Sequence, residues 1–176
     1  MMKQAVIVLL ALGLAGQVAS AQELDVLVRF EGGIGVQPVS NVALPSNPDG
    51  TFNVNRNVVR GVAPAGPWRI ADLKATVFVD GRIKVRGRGL LLAAGNRIGE
   101  NANQSVFATL ICEAALPFTQ HSTAAVGVPL ELNGDFRIDD VLTTVPLNCP
   151  SPALLIRSAG SGAWFAAGIR SLGGDD

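Results

Sequence analysis

The amino-acid sequence predicts an all-β protein with a single domain, an antiparallel β-sandwich or meander β-barrel of about eight or nine strands. Three observations support this prediction. Apolar and polar residues alternate with a period of two, no stretch after residue 21 keeps a helical period over 11 residues, and an Asx-Gly pair precedes an alternating segment three times. Alternation carries no information on strand order, so sandwich and barrel both remain open.

The first 21 residues are typical of a secretory signal peptide. Lys3 precedes an apolar run from Ala5 to Ala15, and the small residues Ala19 and Ala21 end the segment. We expect cleavage between Ala21 and Gln22 and a protein that is secreted or periplasmic. Gln22 offers no lipid attachment site, and the apolar run is short for a membrane span.

The chain that follows the signal peptide has the size of one domain. It comprises 155 residues, 22–176, which is enough to bury a complete core. We expect one all-β domain over 22–170 and a disordered tail over 171–176. Without Lys3, 13 basic and 14 acidic side chains leave one net negative charge, so no overall field favours nucleic acid or an anionic membrane.

The predicted strands follow one another along the chain. The first begins near Leu24, alternates through Phe30 and ends at Gly32-Gly33, where a loop rich in Pro and Asn begins. Further strands are predicted near Phe52, at 71–79, near 83–85, and at 106–112, 126–132, 136–142, 153–157 and 164–169.

The Asx-Gly turns set the register of two hairpins. A two-residue turn at Asp80-Gly81 places cations on the apolar face, whereas a three-residue loop with a left-handed Gly81 does not. We therefore predict the three-residue loop, and the same loop at Asn133-Gly134. These loops imply the pairs Val77–Ile83, Ala75–Val85, Asp72–Arg88, Lys74–Arg86, Leu130–Phe136 and Val128–Ile138.

The two cysteines, Cys112 and Cys149, form an even pair in a chain predicted to reach an oxidising compartment. Such a pair predicts a disulfide. The alternative, a reactive thiol pair, lacks the Cys-x-x-Cys spacing.

Four cations, Arg82, Lys84, Arg86 and Arg88, lie on one face of the strand that follows Asp80-Gly81. They predict a site for sulfated, phosphorylated or uronic-acid groups, because arginine forks match oxyanions. The alternative is a solvated face whose like charges discourage edge pairing. Gly87 and Gly89 alternate with these cations and predict close packing by a large group, a tryptophan or a ligand.

His121 is the only histidine, so a site of several histidines within one chain is excluded. It is the candidate catalytic residue, and the alternative is an ordinary polar loop residue. No Gly-x-Ser-x-Gly motif accompanies it.

Four oxygen-bearing residues near the third turn, Asn133, Asp135, Asp139 and Asp140, are candidate ligands for calcium. Turn formation explains Asn133 and Asp135 without an ion. We expect no cofactor and no metal other than this calcium hypothesis.

The favoured function is an exported, non-catalytic binding or structural module, with an anionic glycan or envelope component as the partner class. One alternative is a small secreted enzyme, a hydrolase or isomerase with its site in a barrel mouth. Another is a secreted inhibitor that presents the polar loop from Gly95 to Gln104. A membrane-spanning barrel is disfavoured because seven Phe, two Trp and no Tyr provide few residues for aromatic girdles. The oligomeric state stays open.

Overall fold

A computed structural model describes residues 25–37, 39–40, 54–55 and 57–172. The predicted signal peptide, the turn at Asp49-Gly50 and residues 173–176 of the predicted tail lie outside this range. The strands are β1 (Val26–Gly35), β2 (Val39–Ser40), β3 (Val54–Asn55), β4 (Trp68–Arg69), β5 (Asp72–Phe78), β6 (Arg82–Arg88), β7 (Leu91–Leu92), β8 (Ser105–Ile111), β9 (His121–Ser122), β10 (Val128–Pro129), β11 (Phe136–Val141), β12 (Ala153–Ser158) and β13 (Trp164–Arg170).

The described residues form an all-β structure, as predicted, dominated by one curled antiparallel sheet. Eight strands follow the order β10-β8-β12-β13-β1-β5-β6-β11, and β9 pairs with β8 beside β10. Two short pairs, β2 with β3 and β4 with β7, complete the strands. Within the described range, no helix has the length and hydropathy needed to cross a membrane.

The hairpin of β5 and β6 has the predicted register. Val77 pairs with Ile83 and Ala75 with Val85, and Gly81 adopts a left-handed φ of 86°. The amide of Gly81 donates to the carbonyl of Phe78 at 3.0 Å and closes the three-residue loop. The left-handed conformation that glycine allows at position 81 therefore sets the register of this hairpin, and in that register every cation of β6 lies on the outer face.

The predicted pairing beyond the Asn133-Gly134 turn is wrong. The turn itself forms, because Gly134 N donates to Glu131 O at 2.8 Å, but Leu130 N donates to Gln104 O and β10 pairs with β8. Gly127 explains why β10 pairs with β8 and not with β11. A Cβ atom at this position would lie 2.5 Å from Val106 O, so only glycine lets the chain approach β8 this closely.

The predicted end of the first strand at Gly32-Gly33 is also wrong. β1 continues to Gly35 and pairs with β13 through an irregularity between Phe30 and Gly33. Gly32 has a φ of +85°, which suits a bulge, and the chain regains its pairing after it. A glycine pair therefore bends this strand without ending it.

The inner face of the curled sheet encloses the main core. Leu73, Ile83, Leu110, Leu154 and Ile156 are completely buried there. Trp68 from β4 stacks on Phe165 with 4.1 Å between ring centroids, and covers one side of this core. Burial of these apolar side chains is the principal stabilising contribution.

A second, smaller cluster lies on the outer face of β8, β12 and β13. Ile111, Leu155 and Trp164 point outward and are covered by Val59 and Val62 from the segment 57–65. The Trp164 indole donates to Asn57 O at 3.0 Å. The Arg60 guanidinium donates to Ile111 O, to Ser151 O and to Ser151 Oγ, which fixes the segment against β8 and the 143–152 loop.

The predicted disulfide is supported by the geometry. The Sγ atoms of Cys112 and Cys149 lie 2.00 Å apart, with 4.5 Å between the Cα atoms. The bond joins the end of β8 to the loop before β12.

The two edges of the main sheet approach each other without a continuous ladder. Thr143 N, after β11, donates to Ser122 O in β9 at 2.8 Å. The carboxylate of Asp140 accepts from Ala124 N at 2.9 Å. These two bonds link the end of β11 to the β9 and β10 edge.

Candidate anion-binding face

The outward side of β1, β5, β6 and β11 carries charged side chains on and beside the predicted stripe. We call this surface the cationic face. It contains an open depression of about 390 Å³, whose lining includes five cations and two carboxylates: Arg29, Glu31, Lys74, Lys84, Arg86, Arg137 and Asp139.

Alternation along β6 produces this arrangement. Ile83, Val85 and Gly87 point inward and are buried, so Arg82, Lys84, Arg86 and Arg88 all point outward. The neighbouring strands alternate in the same way because their ladders keep β6 in register with β5 and β11.

Two rows of side chains run across the strands. The first is Glu31, Lys74, Arg86 and Arg137, and the second is Arg29, Thr76, Lys84 and Asp139. The second row mixes charges and a hydroxyl. The first row contains three cations in succession, Lys74, Arg86 and Arg137. We call these three residues the central row.

The ends of the predicted stripe have acidic neighbours. Arg82 Nε lies 2.7 Å from Asp80 Oδ2, and Arg88 is the cross-strand partner of Asp72. The backbone amide and the side chain of Arg82 both donate to Asp80, and they lower the pKa of this carboxyl. The stripe therefore has an ion pair at Arg82 and an acidic cross-strand neighbour at Arg88.

In the described structure the central row has no ion pair like that of Arg82, although Lys74 faces Glu31 across the strands as Arg88 faces Asp72. Among the described residues, ion pairs within 4.0 Å join Arg82 to Asp80 and Arg97 to Glu100, so no carboxylate lies within that distance of Lys74, Arg86 or Arg137. Like charges directly opposite each other on adjacent strands destabilise a sheet. An anion placed over the row relieves this repulsion.

Residues Lys74 and Arg137 were not among the predicted site residues. The predicted pair Lys74–Arg86 is confirmed and already placed two cations side by side. Arg137 could not be found from local sequence, since its position depends on the pairing of β11 with β6 across the 47 intervening residues, 89–135. Its only sequence signal is the alternation of Phe136, Arg137 and Ile138.

His121 lies in β9 and is 6% exposed, so it is neither a loop residue nor a surface residue. Its Nδ1 lies 3.0 Å from Thr144 O and 2.9 Å from Thr144 Oγ1. A hydrogen on Nδ1 donates to the carbonyl and ties β9 to the loop after β11. The neighbouring hydroxyl of Ser122 bonds to Thr109 Oγ1, so the structure does not join serine and histidine.

A depression of about 300 Å³ lies beside His121 and includes Glu113 in its lining. The Glu113 carboxylate accepts from Thr119 N at 3.1 Å, and this backbone bond lowers its pKa. The hydrogen-bond partners found for His121 in the described structure belong to Thr144, and none is a carboxylate. The described contacts of the His121 side chain therefore fix a loop and do not join it to a carboxylate.

The four candidate calcium ligands are engaged separately. Asn133 Oδ1 accepts from Asp135 N, and Asp135 Oδ1 accepts from Gly89 N, each at 3.0 Å. Asp140 accepts from Ala124, whereas Asp139 lies on the cationic face opposite Lys84. Within the described range, no group of three or more His, Cys, Asp or Glu side chains is placed to hold a metal ion.

Arg157 is a further outward-facing cation, on the other half of the sheet. Its guanidinium lies 5.1 Å from the Phe107 ring centre and donates to Gly162 O and Gln120 Oε1, each at 2.7 Å. Partial burial lowers its pKa. These contacts are with neutral groups and hold the loop before β9, so Arg157 is a structural residue.

The loop from Gly95 to Gln104 is exposed but anchored. The amide of Gly99 donates a hydrogen bond to Leu92 O across the base of the loop. The Asn101 side chain donates to Leu130 O and Glu131 O at 3.1 and 3.0 Å. Ile98, at the outer part of this loop, is 65% exposed. The loop therefore presents an apolar side chain on a fixed base.

In comparisons with known proteins, no family model, no curated protein and no solved structure matches this chain.

Proposed function

We propose that this protein is an exported, non-catalytic β module that binds anionic ligands through the cationic face. The central row carries this proposal. Three adjacent cations without a carboxylate within 4.0 Å in the described structure raise the free energy of the unliganded sheet, and an anion lowers it. The disulfide supports export, because such bonds persist in oxidising compartments.

The buried polar groups favour an external site. Asn101, Thr109, His121, Thr123 and Ser158 are the buried polar residues of the described structure. Every buried side-chain nitrogen or oxygen in that part of the chain has a hydrogen-bond partner. These groups are already used in the fold, so the outer face offers the unsatisfied charges.

The curled sheet is, in this proposal, a barrel with one loosely joined seam and not a sandwich. The bond from Thr143 N to Ser122 O and the bond from Ala124 N to Asp140 support closure at the seam. Scalar couplings across these two hydrogen bonds, measured by NMR, test it. A seam without either coupling would favour an open sheet.

Retention on a sulfated polysaccharide column tests anion binding. The variant Lys84→Gln/Arg86→Gln removes two cations from the middle of the predicted stripe. Its matched control, Arg69→Gln/Arg97→Gln, removes two exposed cations outside the depression. We expect the stripe variant to bind on the order of tenfold more weakly than wild type, because charge-assisted bonds are lost. The control should elute with wild type, and equal retention of all three proteins would refute the proposal.

A secreted inhibitor remains the second candidate function, because the anchored Gly95–Gln104 loop presents Ile98. We expect this loop to resist cleavage by secreted proteases, and the protein to inhibit the protease that recognises Ile98. Rapid cleavage within the loop, with no loss of protease activity, would contradict this candidate.

A further inference from the structure

We infer that the ligand of the cationic face is a compact oxyanion with two or more negative charges, a phosphate monoester or a diphosphate, held across the strands by the central row. This inference rests on the proposed function and names its ligand class. It differs from a linear polyanion laid along β6, which the sequence stripe alone would favour.

The direction of the site follows from where the cations are neutralised. Along β6, Arg82 is paired with Asp80 and Arg88 faces Asp72, so a polymer following the strand meets a carboxylate near each end. Across the strands, Glu31 likewise borders Lys74, but none of Lys74, Arg86 and Arg137 has a carboxylate within 4.0 Å in the described structure. In the described structure the central row therefore keeps its three charges free of a close ion pair, whereas the stripe along β6 has Arg82 paired with Asp80.

The size of the ligand follows from the strand spacing. Adjacent strands lie about 4.8 Å apart, so the central row spans roughly 10 Å between its outer backbones. Glu31 continues the row beyond Lys74, and Asp139 lies directly opposite Lys84 in the adjacent row, two residues along β11 from Arg137. These carboxylates at opposite corners repel an anion that extends past the row.

The charge of the ligand follows from the lining of the depression. Its five cations and two carboxylates give a formal charge of three positive. A phosphate monoester brings close to two negative charges at neutral pH, whereas a carboxylate or a sulfate monoester brings one. The dianion therefore compensates the site better.

The donors also fit a tetrahedral group. Arg86 occupies the middle of the row and presents a planar fork, which binds two oxygens of one phosphate. Lys74 and Arg137 flank it as two further positive charges, and Lys84 with the Thr76 hydroxyl lies in the adjacent row. Several donors thus surround one oxyanion.

The test is an NMR titration of the mature chain, residues 22–176 with the disulfide intact, in phosphate-free buffer. The probes are methyl phosphate, pyrophosphate and methyl sulfate. We expect methyl phosphate to bind about tenfold more tightly than methyl sulfate at pH 7.5, since its charge is nearly twice as large. This preference should shrink at pH 5, where the phosphate monoester has taken up a proton. Methyl sulfate keeps its charge between these pH values and controls for changes in the protein itself.

Two matched variants test the direction of the site, because each removes two cations and retains Lys84 and Arg86. Lys74→Gln/Arg137→Gln removes the flanks across the strands, and Arg82→Gln/Arg88→Gln removes the flanks along β6. We expect the first to weaken methyl phosphate binding by at least about tenfold, and the second by less than about threefold. All four side chains are exposed, and unchanged amide spectra away from the face would verify folding.

The outcomes separate this inference from the proposed function. Equal binding of methyl phosphate and methyl sulfate, or a larger loss in the second variant, overturns the compact-dianion site but leaves anion binding intact if the polysaccharide column still retains the protein. No binding in either assay overturns both. Glucose 6-phosphate and vesicles containing phosphatidic acid then identify the source of the phosphate, since tighter binding of one of them assigns a sugar or a lipid headgroup.

Discussion

Replacement of Gly87 by alanine places a methyl group on the inner face of β6, where the Phe136 ring already lies. A Cβ atom built at Gly87 would lie 2.8 Å from Phe136 Cδ1 and still closer to Cε1 and Cζ. The position needs glycine for space and not for backbone conformation, since its φ is outside the left-handed region. Phe136 is 4% exposed and must move within a packed core to accept the methyl group.

The magnitude combines two opposing contributions. Overpacking of a core costs about 1–3 kcal/mol, and the loss of glycine freedom in the unfolded chain returns about 0.4–1 kcal/mol. We therefore expect Gly87→Ala to lower the free energy of unfolding by about 1–2 kcal/mol. At about 2–4 °C per kcal/mol for a chain of this size, Tm falls by roughly 2–8 °C.

Urea unfolding followed by the fluorescence of the two buried tryptophans measures this change. Gly66→Ala is the matched control, because a Cβ there meets no atom within 4 Å, and it should be neutral or slightly stabilising. Phe136→Leu removes the ring edge, so the double variant should be more stable than the sum of the single effects by over about 0.5 kcal/mol. Wild-type stability for Gly87→Ala, or strict additivity with Phe136→Leu, would refute this account.

Three further substitutions test other contacts. Cys112→Ser/Cys149→Ser should lower the free energy of unfolding by about 4 kcal/mol in urea titrations, because the disulfide spans a separation of 37 residues and restricts the unfolded chain. Asp80→Asn/Glu113→Gln should flatten the loss of stability in acid. Both native pKa values lie below the ordinary 3.8 and 4.5, so these groups stabilise the fold above those values and lose that effect as the pH falls through the lower native ones. Arg60→Gln should lower stability by about 2 kcal/mol in thermal unfolding, since partly buried carbonyl groups lose a charged donor.

Each of these predictions has a distinct contrary result. A cysteine-free variant as stable as the oxidised protein would show that the loop closure contributes nothing. Parallel acid-unfolding curves for wild type and the carboxyl variant would assign acid sensitivity to other groups. Unchanged thermal unfolding of Arg60→Gln would mean that water replaces the guanidinium without cost.

The part of the fold that local sequence determines was predictable. The β5–β6 register followed from the requirement that cations stay off the apolar face, and a left-handed Gly81 was the device that satisfied it. The disulfide followed from an even cysteine pair and a predicted export signal. In both cases the partners are fixed by simple steric or chemical rules.

Pairings between distant segments were not predictable from alternation. β10 pairs with β8 and not with β11. Gly127 allows this pairing because a side chain at that position would clash with Val106, and a single sequence does not reveal that clash. The same limit applies to Gly87, whose large neighbour is Phe136 and not the expected tryptophan or ligand. A glycine shows where space is needed but not which residue fills it.

The candidate site was predicted in part for the same reason. The stripe on β6 is a property of one strand and is visible in the sequence. Its conversion into a row across the sheet requires Lys74 from β5 and Arg137 from β11. A short turn joins β5 to β6, so the pairing of Lys74 with Arg86 was predictable. No short turn joins β6 to β11, so the position of Arg137 beside Arg86 was found only in the structure.

The segment 57–65 covers only one half of the sheet, and this makes the local opening of the molecule uneven. β8 and β12 are buried on both faces, whereas β6 and β11 show alternating buried and exposed residues. Amide hydrogens of β8 and β12 should therefore exchange with solvent at rates close to those set by global unfolding, and those of β11 through smaller, more frequent openings. A ligand that bridges β5, β6 and β11 would slow exchange on the half of the sheet that opens first.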